Sequence, residues 1–178
     1  MTTAIRAQVE SVPEETVSGQ GTDPDADRAM LRTWLRMLAC TNIIEGRVRG
    51  ALRDNFNTTL PRFDLLAQLD ASSVDAPDGL TMSELSRRLM VTNGNVTGLV
   101  NRLVNEGFVS RVVFPPDRRA QLVSLTPAGK RALDGMTPAH ATWIREMFEG
   151  VSPHEQRELY RLLGRLKQSA LTPTGRAP

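Results

Sequence analysis

A chain of 178 residues, 40% hydrophobic and 24% charged, has the make-up of one ordinary globular domain rather than a low-complexity or fibrous polymer. Aromatic residues supply only 4%, too few for the stacking platforms that hold single-stranded nucleic acid. The net charge of +2 hides a division: residues 1–28 hold two of the 22 basic and six of the 20 acidic side chains, leaving 20 and 14, or +6, for the remainder. That bias suits a polyanionic partner.

One cysteine, Cys40, excludes an internal disulfide and fits a reducing cytoplasm. No run approaches the roughly 18 apolar residues of a membrane span, and the first residues lack the apolar centre of a signal peptide. The expected location is therefore cytoplasmic. Residues 1–24, rich in Thr, Ser, Gly, Pro and Glu without periodicity, read as a disordered arm, and 172–178 as a flexible tail. Residues 25–171 read as a single domain.

Its first element is a long helix over about 25–54, with Leu31, Trp34, Leu35, Leu38, Ile44, Val48 and Leu52 at helical spacing. "TLPRFDLLAQLD" starts a second helix, with Pro61 in its first turn. Three later starts are written in capping residues: "TMSE" (Thr81, Glu84), "TPAGK" (Thr126, Pro127) and "SPHE" (Ser152, Pro153, Glu155). Pro138 is a point where the helix begun at Pro127 can kink. Between the first two starts, "VTNGNVTGLVNRL" carries Val96, Leu99, Val100 and Leu103 on one helical face. "NEG" ends it at Gly107. "FVSRVVF" and "QLVSL" then alternate as strands around "PPDRRA", a hairpin with a basic tip.

A short capped helix, a turn, a second helix and a basic hairpin form a winged helix-turn-helix, here over about 61–126. The fold class is mainly α with a small β wing. Opposite the apolar face of the second helix, Gly94, Thr97, Gly98 and Asn101 recur at i, i+3, i+4 and i+7. A solvated face normally carries Glu, Lys and Arg. Each glycine costs about 1 kcal/mol of helix propensity. We read the loss as traded for close approach to the floor of a DNA groove. The plainer alternative puts Gly94 in the turn and packs Gly98 against another helix. Asn93, Asn95 and Asn101 offer paired donors and acceptors to bases, and Thr92 or Thr97 a hydroxyl to a phosphate or a methyl to thymine. Arg87, Arg88 and Arg102 suit phosphates. At the wing tip, an arginine of Asp117-Arg118-Arg119 suits a narrow minor groove, with Asp117 holding it in place.

The segment from "LTMSELSRRL" to "SLTPAGKRAL" resembles the DNA-binding lobe of the MarR family of bacterial regulators, and a weaker likeness runs over about 28–170. The pattern that carries it is Asp117, Arg118, Arg119, Val123, Leu125, Thr126 and Gly129. The resemblance implies a dimer whose dimerisation lobe comes from about 25–54 and 127–171. It also implies a recognition helix bearing Asn93, Gly94, Asn95, Thr97, Gly98 and Asn101, and a minor-groove arginine at Arg119. "TNGNVTGL" departs from relatives richer in serine and alanine there, so no operator sequence carries over. A C-terminal stripe of Leu159, Leu162, Leu163, Leu166, Ala170 and Leu171 independently calls for a covering partner, and a two-fold pairing provides one.

The resemblance further implies repression of transcription relieved by a small effector. Members controlling aromatic-acid breakdown point to an aromatic carboxylate or its CoA thioester. Trp34, Arg36, Leu38, Arg62, Phe63 and Trp143 are the expected ligand-binding residues, Arg62 foremost. Cys40 is the one alternative sensor, a redox one. Its apolar surroundings favour an inert core residue. His140 and His154 stand apart from other ligands, so neither a metal nor another cofactor is expected. The motifs of phosphate loops, serine hydrolases and zinc proteases are missing, which argues against an enzyme. A winged helix that binds protein instead of DNA is the remaining rival.

Overall fold

The computed structural model describes residues 23–76, 78–114 and 117–172, except for the side chains of 114–120. The first helix, α1 (Pro24–Phe56), opens with Asp25 and Asp27 in its first turn, where carboxylates complement the helix dipole. The chain divides within α1 into two units, one ending at Thr41 and the other starting at Asn42. In the first unit Leu31 and Trp34 are exposed. Cys40 is exposed too, contrary to the core position expected for it, because the first unit holds no other described element to pack against α1.

In the second unit, Val48 and Leu52 near the end of α1 are buried. They join Phe63, Leu65, Leu66 and Leu69 of α2 (Leu60–Ser72) in the core. Strand β1 (Leu80–Thr81) follows a turn at Gly79, whose φ of +109° and contact with the Val123 carbonyl leave no room for a side chain. Helix α3 (Met82–Leu89) starts in a complete capping box: Glu84 N–H donates to Thr81 Oγ1 (3.3 Å), and Thr81 N–H donates to Glu84 Oε2 (2.8 Å).

The turn out of α3 uses Met90 in the left-handed conformation (φ 54°, ψ 38°), a strained position for a residue with a side chain. Ser86 supports it by donating its hydroxyl to the Val91 carbonyl (2.5 Å). Helix α4 (Asn93–Asn105) therefore begins two residues later than its apolar pattern suggests, with Thr92 as N-cap. Gly94 lies inside it. Val96, Val100 and Leu103 are fully buried with Leu85 beneath them, the packing on which a helix-turn-helix depends.

Strands β2 (Val109–Phe114) and β3 (Asp117–Leu125) form the hairpin, and the sheet order is β1-β3-β2, antiparallel throughout. Two points differ from the sequence pattern. β1 was not legible in it, and β3 starts at Asp117, so Asp117, Arg118 and Arg119 belong to the strand rather than to the loop. Asp117 pairs with Phe114 of β2, and a register shift separates that pair from Val113 opposite Gln121.

Helix α5 (Pro127–Met147) is capped by Thr126, whose hydroxyl accepts from Gly129 N–H (3.0 Å) and donates to the Gly107 carbonyl (2.6 Å). A Cβ on Gly129 would overlap the Phe108 carbonyl. Thr126 and Gly129 thus join the base of the wing to α5, and α5 continues through Pro138 as one helix. Helix α6 (Pro153–Leu171) starts in a second capping box at Ser152 and Glu155. It buries none of its residues. None of the described helices is long and apolar enough to cross a membrane.

Candidate nucleic-acid interface

Helix α4 presents two unlike faces. Behind, Val96, Leu99, Val100 and Leu103 anchor it in the core. In front, ideal Cβ positions at Gly94 and Gly98 meet no atom within 4 Å. Gly98 is therefore not a packing glycine among the described residues, and Gly94 is not a turn glycine. Thr92, Asn93, Asn95, Thr97 and Asn101 are exposed around them. The Thr97 hydroxyl donates back to the Asn93 carbonyl (2.8 Å), which leaves its methyl and an oxygen lone pair outward. Thr92 Oγ1 accepts from Asn95 N–H at 3.4 Å to cap the helix, which leaves its O–H as a donor.

The arginines divide. Arg87 and Arg102 are exposed, as phosphate contacts require. Arg88 is exposed as well but has a partner inside the fold: its Nη1 donates to Ser72 Oγ at 2.6 Å, tying α3 to α2 through a serine that is itself buried. The side chains of Asp117, Arg118 and Arg119 lie outside the described residues. Sequence reasoning passed over Arg111. From β2 its Nη2 donates to Asn101 Oδ1 at 2.6 Å, so the wing directly holds a side chain of the recognition helix. Residue spacing gives no signal for this bond, which needs the hairpin register.

Of the expected ligand-binding residues, Trp34 and Arg36 are exposed and Leu38 half-buried in the first unit. In the second, Phe63 is buried and stacks on His140 (4.6 Å between centroids, 32° between planes), and burial depresses the His140 pKa. Half-buried Trp143 meets Phe56 edge-on at 6.1 Å. Arg62 is paired bidentately with Glu106, the C-cap of α4, with Nη1 to Oε1 at 2.9 Å and Nη2 to Oε2. Asp64 was not singled out from the sequence. Its pKa is raised from 3.8 to about 6, by burial first and by nearby Glu45 second. Among the described residues no group of three or more His, Cys, Asp and Glu is arranged to hold a metal.

The MarR family model matches residues 56–120, from the end of α1 into the wing. The uncharacterized HTH-type transcriptional regulator YkoM of Bacillus subtilis is 31% identical over 141 residues, covering 79% of this chain and 87% of its own. The chain is a member of the MarR family. A MarR family transcriptional regulator from Silicibacter pomeroyi, solved by crystallography, is 33% identical with a TM-score of 0.67, over 83% of this chain and 99% of that one. The MarR-family regulator Sco3205 of Streptomyces coelicolor, solved in complex with DNA, has the same fold: TM-score 0.72 at 23% identity, over 88% of this chain and 95% of that one. Membership makes this chain a transcriptional regulator with a winged helix-turn-helix.

Proposed function

We propose that this MarR-family regulator is a cytoplasmic homodimer that represses transcription by binding an inverted-repeat operator in double-stranded DNA. Helix α4 enters the major groove, and Arg119 of the wing enters the neighbouring minor groove. The open front of α4 carries this reading: two glycines with no intramolecular neighbour, on a helix fixed from behind by four buried side chains. Such a surface lets backbone approach base edges while Asn93, Asn95 and Asn101 read them, and Arg87 and Arg102 hold phosphates. The exposed leucines of α6 support a second copy as their cover.

The effector in this reading is an aromatic carboxylate or its CoA thioester. Support comes from the Arg62–Glu106 pair, because a guanidinium that holds one carboxylate can exchange it for another. An anionic ligand taking Arg62 frees Glu106 at the end of the recognition helix, which alters how α4 is held. Trp34, Arg36, Leu38, Phe63 and Trp143 complete the proposed ligand-binding set.

Selection from a random duplex pool at physiological salt tests the whole reading. Enrichment of an inverted repeat with half-site centres about 10 base pairs apart is the expected result. Benzoate-type acids and their CoA thioesters, added to a repeat selection, should abolish enrichment for the wild type and act more weakly on Arg62→Ala. A folded protein that enriches no sequence would overturn the reading in favour of a protein-binding winged helix.

A further inference from the structure

We propose that Arg111 is a positioning residue that turns the Asn101 amide oxygen toward the wing, so that its NH2 leads into the DNA groove and discriminates against adenine. This rests on the DNA-binding reading above and adds a rule about one base pair in each half-site. The observation is the bond from Arg111 Nη2 to Asn101 Oδ1 at 2.6 Å, between β2 and the exposed face of α4.

A guanidinium has five donors and no acceptor. Whichever way an asparagine amide might otherwise turn, the atom facing Arg111 must be its oxygen. The NH2 then faces away, and among the described residues it makes no hydrogen bond within the protein. An unrestrained asparagine pairs with adenine by accepting from N6–H2 and donating to N7. Arg111 takes one of the two lone pairs of Oδ1 and holds the oxygen on the wing side, so the amide meets the base with its NH2, which opposes the NH2 of adenine. The acceptors O6 and N7 of guanine, or O4 of thymine, suit it instead.

Asn101 shares its helical face with Gly94, Thr97 and Gly98, so the NH2 belongs to the surface that the reading above places in the groove. Arg111 itself is half-buried in the hairpin, with Val123 opposite it on β3. That strand position aims one guanidinium nitrogen at α4 and makes the wing part of the recognition surface through a residue of the helix.

The test is parallel selection from a random duplex pool with the full-length wild type and with Asn101→Ala, Arg111→Met, Arg111→Lys and Asn101→Asp. Thermal melts first establish that each variant folds cooperatively. Asn101→Ala locates the base pair by flattening preference there. At that pair the wild type should favour guanine or thymine. Arg111→Met should raise the share of adenine about fivefold or more, and Arg111→Lys, still a donor, should keep the wild-type choice. Asn101→Asp leaves Arg111 paired but turns an acceptor to the groove, so its choice should move to cytosine. This variant carries the test if Arg111→Met does not fold.

A wild-type preference for adenine at that pair would overturn the proposal. So would an unchanged preference in Arg111→Met, a change confined to another base pair, or no pair flattened by Asn101→Ala. An Asn101→Asp variant that kept guanine or thymine would do the same. Failure of the wild type to enrich any sequence would be a different result, since it removes the DNA-binding reading itself.

Discussion

Helical glycines in α4 and at the start of α5 stand in opposite surroundings. At the start of α5, Gly129 lies against the Phe108 carbonyl, and its missing side chain is explained inside the molecule. In α4, Gly94 and Gly98 face open space, and nothing inside the molecule accounts for them. The first kind of glycine serves folding. The second lowers helix propensity without any packing return, as Gly46, Gly50, Gly135 and Gly164 also do, and what sets Gly94 and Gly98 apart is the exposed asparagine and threonine side chains beside them.

The largest expected effect tests the crowded side of that contrast. In Gly129→Ala the new methyl meets a backbone carbonyl, which no rotamer change can move aside. The Thr126 cap, bonded to Gly129 N–H and to the Gly107 carbonyl, must shift with it. We expect a loss of about 3 kcal/mol, the upper range for overpacking, read as a lower midpoint in urea unfolding. A variant as stable as the wild type would show that the wing and α5 separate easily.

A second contrast sets the winged lobe against α6. The lobe covers its apolar side chains, with Leu85, Val96, Val100 and Leu103 fully buried, whereas Leu162, Leu163 and Leu166 of α6 are 41–47% exposed. If a second copy covers α6, Leu163→Glu should weaken self-association by about 2 kcal/mol, roughly thirtyfold in dissociation constant. Sedimentation over a concentration series measures it. Identical assembly in wild type and variant would remove α6 from the proposed dimer contact.

How much of this could be read from the sequence followed the range of the interaction. Thr81, Thr126 and Ser152 each cap a helix within three residues of its start, and all three starts were legible. The apolar stripe of α4 and the two strands of the hairpin were legible for the same reason. β1 was not: it is two residues long and exists only because Leu80 and Thr81 pair with Val123 and Leu122. Nor was the turn at Met90, where a methionine occupies the conformation that glycine favours. The polar ties were hidden more deeply. Arg111 reaches Asn101 across 10 residues, Arg88 reaches Ser72 across 16, and Arg62 reaches Glu106 across 44. No local pattern records such pairs. Residue types alone therefore put Arg62 and Arg88 in binding roles, although both have partners within the fold.

Asp64 sharpens the comparison between sites that serve folding and sites that do not. Its folded pKa of about 6 lies above the ordinary 3.8, because burial and Glu45 disfavour the carboxylate. Between roughly pH 4 and 6 the folded state therefore binds more protons than the unfolded state, and stability falls as pH rises through that window. It stays reduced above it. The carboxyl is only about half buried, so solvent screening holds the penalty to the order of 1 kcal/mol. Asp64→Asn should be more stable than the wild type by about that amount at pH 7.5 and should lose its advantage near pH 3.5. Urea titrations at both values decide it. A difference independent of pH would mean that amide packing, not ionisation, is responsible.

The smallest expected change in stability is the most informative about function. Gly98→Ala adds one methyl where no atom lies within 4 Å, in the middle of a helix whose other face is firmly buried. Alanine should stabilise the fold by about 0.5–1 kcal/mol through helix propensity alone. On DNA the same methyl points at the surface proposed to approach the bases, so affinity for the selected operator should fall while stability rises. No loss of fold can produce that combination, because the two measurements move in opposite directions. If Gly98→Ala is both more stable and equally tight on DNA, the groove does not come close to Gly98. The recognition surface would then shift toward the N-terminal turn of α4, where Gly94→Ala is the matching substitution.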